Sequence, residues 1–209
     1  MNLDTTHLIA LAAALGWASG LRLYAVLFLT GMAGHAGLVA LPPGLQVLQQ
    51  PLVLWASGAM WVIEFVVDKI PWLDSLWDAV HTLIRIPAGA LLAASVFGGD
   101  QQSWAIVAGL LGGTLAATAH AAKATTRAAA NTSPEPYSNL ALSLFGDATV
   151  PAMLWLAWTH PGPFFAVLAI ALVAMVALTL WLWRFVRGLA AGLRQRIGGT
   201  PAAAAARVR

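Results

Sequence analysis

The chain has no cysteine and very little charge. Of its 209 residues, 9% are Asp, Glu, Lys or Arg, and 60% are hydrophobic. Without cysteine there is neither a disulfide framework nor a thiolate metal site. A soluble domain carries roughly a quarter charged residues, so a soluble globular class is excluded, and the mean hydropathy of +0.78 agrees. Enzyme signatures are missing too. There is no GxSxG, no HExxH and no phosphate-cradling glycine loop, so no catalytic activity and no cofactor are expected. The first seven residues hold Asp4 and no Lys or Arg, so no cleaved secretory leader is expected.

What remains reads as an all-α, polytopic transmembrane bundle of about six spans. Residues 8–33 are apolar but interrupted by Gly16, Ser19, Gly20 and Arg22. A span needs about 20 apolar residues, so this stretch is one long helix or a half-helix followed by a main span from Leu21 to His35, with a break near Ser19-Gly20. Further spans are expected over 51–69, 74–97 (kinked at Pro87), 103–130 (capped by Ser103), 137–158 and 164–185. The last is the most uniformly apolar and should face lipid most. Pro51 suits a first helical position, and Gln46, Gln49 and Gln50 suggest a short interfacial helix before it. The bundle should occupy 1–187, and 188–209 should be a basic, disordered cytoplasmic tail.

The pI near 10 does not indicate nucleic-acid binding. Six of the eleven basic residues lie from Arg184 onward, and before them five basic residues face eight acidic ones. A basic juxtamembrane tail marks the cytoplasmic side and anionic lipid headgroups. With the tail inside, Arg22, Lys69, Lys123 and Arg127 all fall on the inner side, and Arg85 alone does not. The C-terminus is expected on the cytoplasmic side of the membrane.

The polar residues recur at helical spacing. Glu64 and Asp68 are four apart. Asp74, Asp78, His81 and Arg85 form one stripe, with apolar residues opposite; His120, Lys123 and Arg127 form a second, and Asn139, Ser143 and Asp147 a third. Ionisable groups at membrane depth must face a protein interior or a wet cavity. Two readings follow. Glu64, Asp68, Asp74, Asp78, His81, Arg85, Asn139 and Asp147 could bind a small ion or solute, with cations or protons favoured, while Arg22, Lys69, Lys123, Arg127 and Glu135 gate or pair. Alternatively the charges fix helix register in a non-transporting scaffold. Asp74 and Asp78 would then cap a helix, Lys69, Lys123 and Arg127 would snorkel to the interface, and Gly109, Gly112 and Gly113 would bind a partner or a second copy. In either reading an Arg85–Asp147 pair is expected. A cavity reaching Asp78 or Glu64 would favour transport, and full pairing in a dry core would favour the scaffold. A metal held by His81 and Asp78 with Glu64 or Asp68 is a minor third reading.

Ser19–Tyr24 also echoes Ser133–Tyr137, each at a helix start on the inner side, the kind of internal repeat seen in transporters.

Three longer motifs carry a resemblance. EFVVDKIPWLDSLWDAVHTLIRIPAGALLAA (64–94), ASGLRLYAVLFLTG (18–31) and KATTRAAANTSPEPYSNLALSL (123–144) resemble a bacterial membrane family, domain of unknown function 4126, over roughly residues 10–185. The resemblance implies a Pro-Tyr pair after Ser19-Gly20, where this chain has Leu23-Tyr24, and a Glu-Asp pair in the fifth span, where it has Gly146-Asp147. It implies no substrate. Glu64, Asp68 and Lys69 are also similar to the acidic E-x-G-D-K/R signature of divalent-cation/proton exchangers, with a one-residue difference in spacing and no glycine.

Overall fold

A computed structural model describes residues 4–70, 72–98, 101–132 and 137–198, with side-chain surroundings up to Phe185 and at Arg187. Glu135, and most of the segment 133–137 that echoes Ser19–Tyr24, lie outside the described residues. The regular elements among the described residues are all helices, with no strand: α1 (Thr5–His35), a short 3-10 helix (Pro43–Gln49), α2 (Pro51–Val67), α3 (Leu73–Ser95), α4 (Gln102–Ala130), α5 (Tyr137–Thr159) and α6 (Pro161–Gly198).

Among the described residues, α1, α4, α5 and residues 161–185 of α6 are long and apolar enough to cross a bilayer. The 3-10 helix and α2, bent by 71° at Gln50, make a fifth such unit if taken together. α1 is the helix the others pack on, 78% buried over its most apolar window, against 11% for α6. α6 packs one stripe, Phe164, Leu168, Ala171, Leu172 and Met175, on the bundle and leaves the rest of its apolar surface uncovered. It continues beyond Phe185 to Gly198, so helix extends into the segment expected to be a disordered tail. Pro161 opens α6, three residues before the start expected at 164. Gln101, not Ser103, is the N-cap of α4, and no side chain caps it. Asp4 caps α1: its carboxylate accepts from the His7 backbone N–H at 2.9 Å. That bond, with the His7 ring beside it, holds the Asp4 carboxyl below the usual carboxylate range.

α1 breaks at Arg22, whose φ of −146° and ψ of 76° are not helical, three residues from the Ser19-Gly20 position the sequence suggested. The contacts on either side run in opposite senses. Before the break, Gly16 meets Gly112, Gly20 meets Ala116, and the Leu21 carbonyl accepts from Lys123, so this arm runs the same way as α4. After it, Tyr24 meets His81, Phe28 packs on Gly58 and Gly31 lies against Leu48, so this arm runs antiparallel to α2. Gly44, beside Leu48, touches Ser95 at the end of α3 nearer the start of α4. α1 is therefore a helical V with its apex at Arg22. Non-helical backbone at membrane depth is tolerated only inside protein or in a wet cavity, and Arg22 is buried.

Glycine makes the packing of the arm before Arg22 possible. A Cβ on Gly16 would come within 2.5 Å of the Gly112 Cα, and one on Gly112 would run into Ala93 of α3. Gly109 faces Ala94, and Gly113 faces Ala90. The small-residue face expected to bind a partner is occupied by α3 and α1 of the same chain. Its backbones approach closely because no side chain separates them.

Candidate functional site

Each polar stripe of the sequence turns inward. Asp74, Asp78, His81 and Arg85 are all buried on one face of α3, and His120 and Arg127 on α4. Helical spacing places them on a face, and the Gly-Ala packing of α3 against α4 brings the two faces together.

Arg85 binds Glu64 at 2.6 Å and Asp78 at 2.7 Å. Lys123 spans from Asp78 Oδ1 to Asp68 Oδ2, 3.0 Å from each. Arg127 reaches Asp68 at 3.2 Å and Asp74 at 3.0 Å, and donates to the Asp68 carbonyl. At the apex of α1, Arg22 pairs with Asp68 and with Asp147 at 3.0 Å, and donates to Ser143 Oγ at 2.9 Å. Lys69 completes the set at 3.3 Å from Asp147. Five cations thus balance five carboxylates in one connected network, with Glu64, Asp68, Asp74 and Arg85 at 0% exposure.

Several expectations are corrected. Arg85 does not pair with Asp147; it lies with Glu64 and Asp78, while Asp147 holds Arg22 and Lys69. The two sit at different places in the network because α5 packs on α1 rather than on α3. Lys123 and Arg127 do not reach outward; their side chains are buried and paired with Asp68, Asp74 and Asp78. Lys69, 22% exposed at its side chain, is the most open of the five cations. Asp78 caps nothing, lying more than a turn inside α3, whose N-cap is Trp72. Arg85, expected apart from the other basic residues, joins them.

Further side chains extend the network. His81 Nδ1 lies 2.8 Å from the Trp77 carbonyl, which can only accept, so Nδ1 carries hydrogen, and Nε2 lies 3.2 Å from the Tyr24 hydroxyl. His120 is arranged the other way. Arg85 can only donate, so Nδ1 accepts from it at 3.4 Å, and Nε2 donates to Thr82 Oγ1 at 2.7 Å. Asn131 donates to Asp74 and Ser75. Thr82 and Asn131 were not expected in the site from the sequence, and Tyr24 only marked a motif; single hydroxyls and amides on apolar helices carry no spacing signal. Asn139 is buried as its stripe predicts, yet neither of its amide atoms has a hydrogen-bond partner among the described residues. The same holds for Glu64 Oε2, Asp68 Oδ1, Asp78 Oδ2 and Arg85 Nε. No group of three or more His, Asp or Glu suited to a metal occurs among the described residues.

A cavity of about 380 Å³ opens between α1, α4, α5 and α6. Arg22, Lys123 and Arg127 line one end, and its other walls are mostly apolar; Glu64 and Asp78 do not line it.

The model of one family matches residues 9–184, covering α1 to the end of the apolar part of α6 and so every member of the network. The chain belongs to that family, domain of unknown function (DUF4126). No curated protein and no solved structure matches it. The DUF4126 match spans both sides of the V in α1, so the break and its ion pairs fall within the shared domain. The Gly146-Asp147 site of this member places Asp147 on Arg22 and leaves Gly146 facing the same guanidinium, with 3.7 Å between an ideal Cβ and Nε.

Proposed function

We propose that this chain is an integral membrane transporter or channel for a small solute or ion, with protons or cations favoured, working through the buried charge network. The observation that carries the reading is the helix break at Arg22, held inside that network by Asp68, Asp147 and Ser143. Broken helices at membrane depth, with ionisable groups at the break, are how many transporters build their sites. Cost argues the same way. A buried ion network is weak support for stability, since apolar residues of similar volume often hold a core as well or better, and its best-attested uses are register and switching. Unsatisfied acceptors on Glu64, Asp68 and Asp78 give a proton or cation places to bind. In this reading the bundle has about six spans, lies in a bacterial inner membrane and keeps its C-terminus cytoplasmic. Its basic end lies on anionic headgroups, and a second copy of the chain would pack on its uncovered apolar faces.

The test is flux into proteoliposomes across protons, common cations and anions, with Glu64→Gln and Asp78→Asn beside the native chain. Flux above that of protein-free vesicles is expected, cut at least tenfold in both variants. A folded, reconstituted protein that leaks no more than empty vesicles would overturn the proposal.

A second reading, a non-transporting scaffold, is favoured by the five-to-five pairing and by a cavity wall that includes neither Glu64 nor Asp78. It expects no flux in the native chain, and lower thermal stability as the sole effect of both substitutions.

A further inference from the structure

α6 packs more on α4 than on α5, the helix it follows, and the cavity described above opens between α5 and α6. We propose that this cavity takes one acyl chain of a bilayer phospholipid, which enters sideways between the two helices and leaves its headgroup outside. The inference stands apart from the transport reading and holds whether or not the protein moves ions.

Three observations carry it. The first is size and shape. The cavity holds about 380 Å³, whereas protein interiors keep few voids larger than a water molecule. Its α6 wall runs from Val167 to Leu178, about 16 Å at 1.5 Å per residue, so the space is a slot that suits one extended chain. The second is the way in. A groove of about 470 Å³ runs along α5 and shares Phe145, Thr149, Met153 and Val167 with the cavity. Phe145 and Trp155 in that groove are exposed. The cavity is therefore continuous with the apolar surface on which bilayer chains lie.

The third is the chemistry of the walls, where the polar groups are already engaged. The Thr126 and Thr149 hydroxyls donate to carbonyls of their own helices, at 2.7 and 2.6 Å. The Trp17 indole N–H donates to Met175 Sδ at 3.4 Å. Arg22, Lys123 and Arg127 are buried and paired with carboxylates. No cation is left for an acidic head, and a water molecule finds too few of the polar partners it needs. What remains is hydrocarbon, from Leu21, Leu142, Phe145, Met153 and Leu178. A lipid tail is as apolar as a leucine, and filling the slot restores the dispersion contacts that its walls otherwise lack.

The experiment uses the full chain in phosphatidylcholine vesicles doped with a phosphatidylcholine that carries a diazirine midway along one acyl chain. A second preparation carries the diazirine on the headgroup. After irradiation, labelled residues are mapped by mass spectrometry. The chain probe is expected to label Trp17 and Met153, at 1% and 4% exposure, as well as the lipid-facing Leu83 and Leu91 on α3. The headgroup probe should label Trp17 and Met153 at least tenfold less than the chain probe does. Gly146→Leu fills the slot from α5, where a Cβ meets only Arg22 Nε, at 3.7 Å, and Ala174→Phe fills it from α6. Each should cut chain labelling of Trp17 and Met153 at least tenfold and leave that of Leu83 and Leu91 unchanged. Both variants are checked for unchanged helix content and monodispersity; should neither fold, the native chain with the two probes decides. Chain labelling confined to exposed residues overturns the proposal, as does equal labelling of Trp17 by the two probes. Unchanged labelling of Trp17 and Met153 in a folded variant also overturns it.

Discussion

Asp68 is the residue on which the charge balance turns. Its carboxylate, at 0% exposure, is approached by Arg22, Lys123 and Arg127. Asp68→Asn leaves five cations facing four carboxylates in the same buried volume. Removing one partner of a buried pair costs about 3–5 kcal/mol, because the charge left behind stays buried. For a chain of this length each kcal/mol moves the melting temperature by about 2–4 °C, so a fall of about 6–20 °C is expected. Lys123→Met in the same background restores four against four with a side chain of similar length. The double variant should then be more stable than the sum of the single losses by about 1–3 kcal/mol, the coupling expected of residues in one network. Tryptophan fluorescence and size exclusion after heating in detergent measure this, helped by the ten Trp. If the single losses add to within about 0.5 kcal/mol, or if Asp68→Asn costs less than about 1 kcal/mol, as an exposed pair would, the network is not the closed and balanced unit described above.

Two further outcomes follow from packing and backbone. Gly112→Leu would drive a side chain into Ala93 and the Gly89 backbone; overpacking of this kind costs about 1–3 kcal/mol or more, and loss of the monodisperse peak on heating should come earlier, whereas Gly98→Leu, with open space around it, should leave that temperature unchanged. Trp72 holds a φ of +73° at the turn into α3, a left-handed conformation costing a bulky residue about 1–3 kcal/mol; Trp72→Gly should raise the melting temperature, and a fall would mean that the exposed indole anchors the turn more than the backbone strains it.

Much of this architecture is legible in the residues themselves. Charge at i, i+4, i+7 and i+11 on α3 says that Asp74, Asp78, His81 and Arg85 share a face, and scarcity of charge elsewhere says that the face is turned inward. The Ser19-Gly20 pair marks the break in α1 to within three residues of Arg22. Partners across helices are less legible. Periodicity fixes a direction around a helix and not the helix that lies in that direction, so the sequence paired Arg85 with Asp147, where the fold gives Glu64 and Asp78. The reversal of chain sense at Arg22 is hidden for the same reason. It depends on Gly16, Gly112 and Gly89 meeting from three helices, and each alone reads as an ordinary small residue in an apolar run. The cavity could not be foreseen at all, because it is bounded by what α4, α5 and α6 leave unfilled.

The equal numbers of opposite charges in the network have an electrical consequence. Shifted as a unit, a cluster of zero net charge does no work against a membrane voltage. Taking up one proton would change that: the cluster would carry one elementary charge, worth about 2.3 kcal/mol for every 100 mV of the field it crosses. Protonation of a single carboxylate beside Arg85 or Lys123 would thus turn a voltage-blind core into one that an energised membrane can pull on.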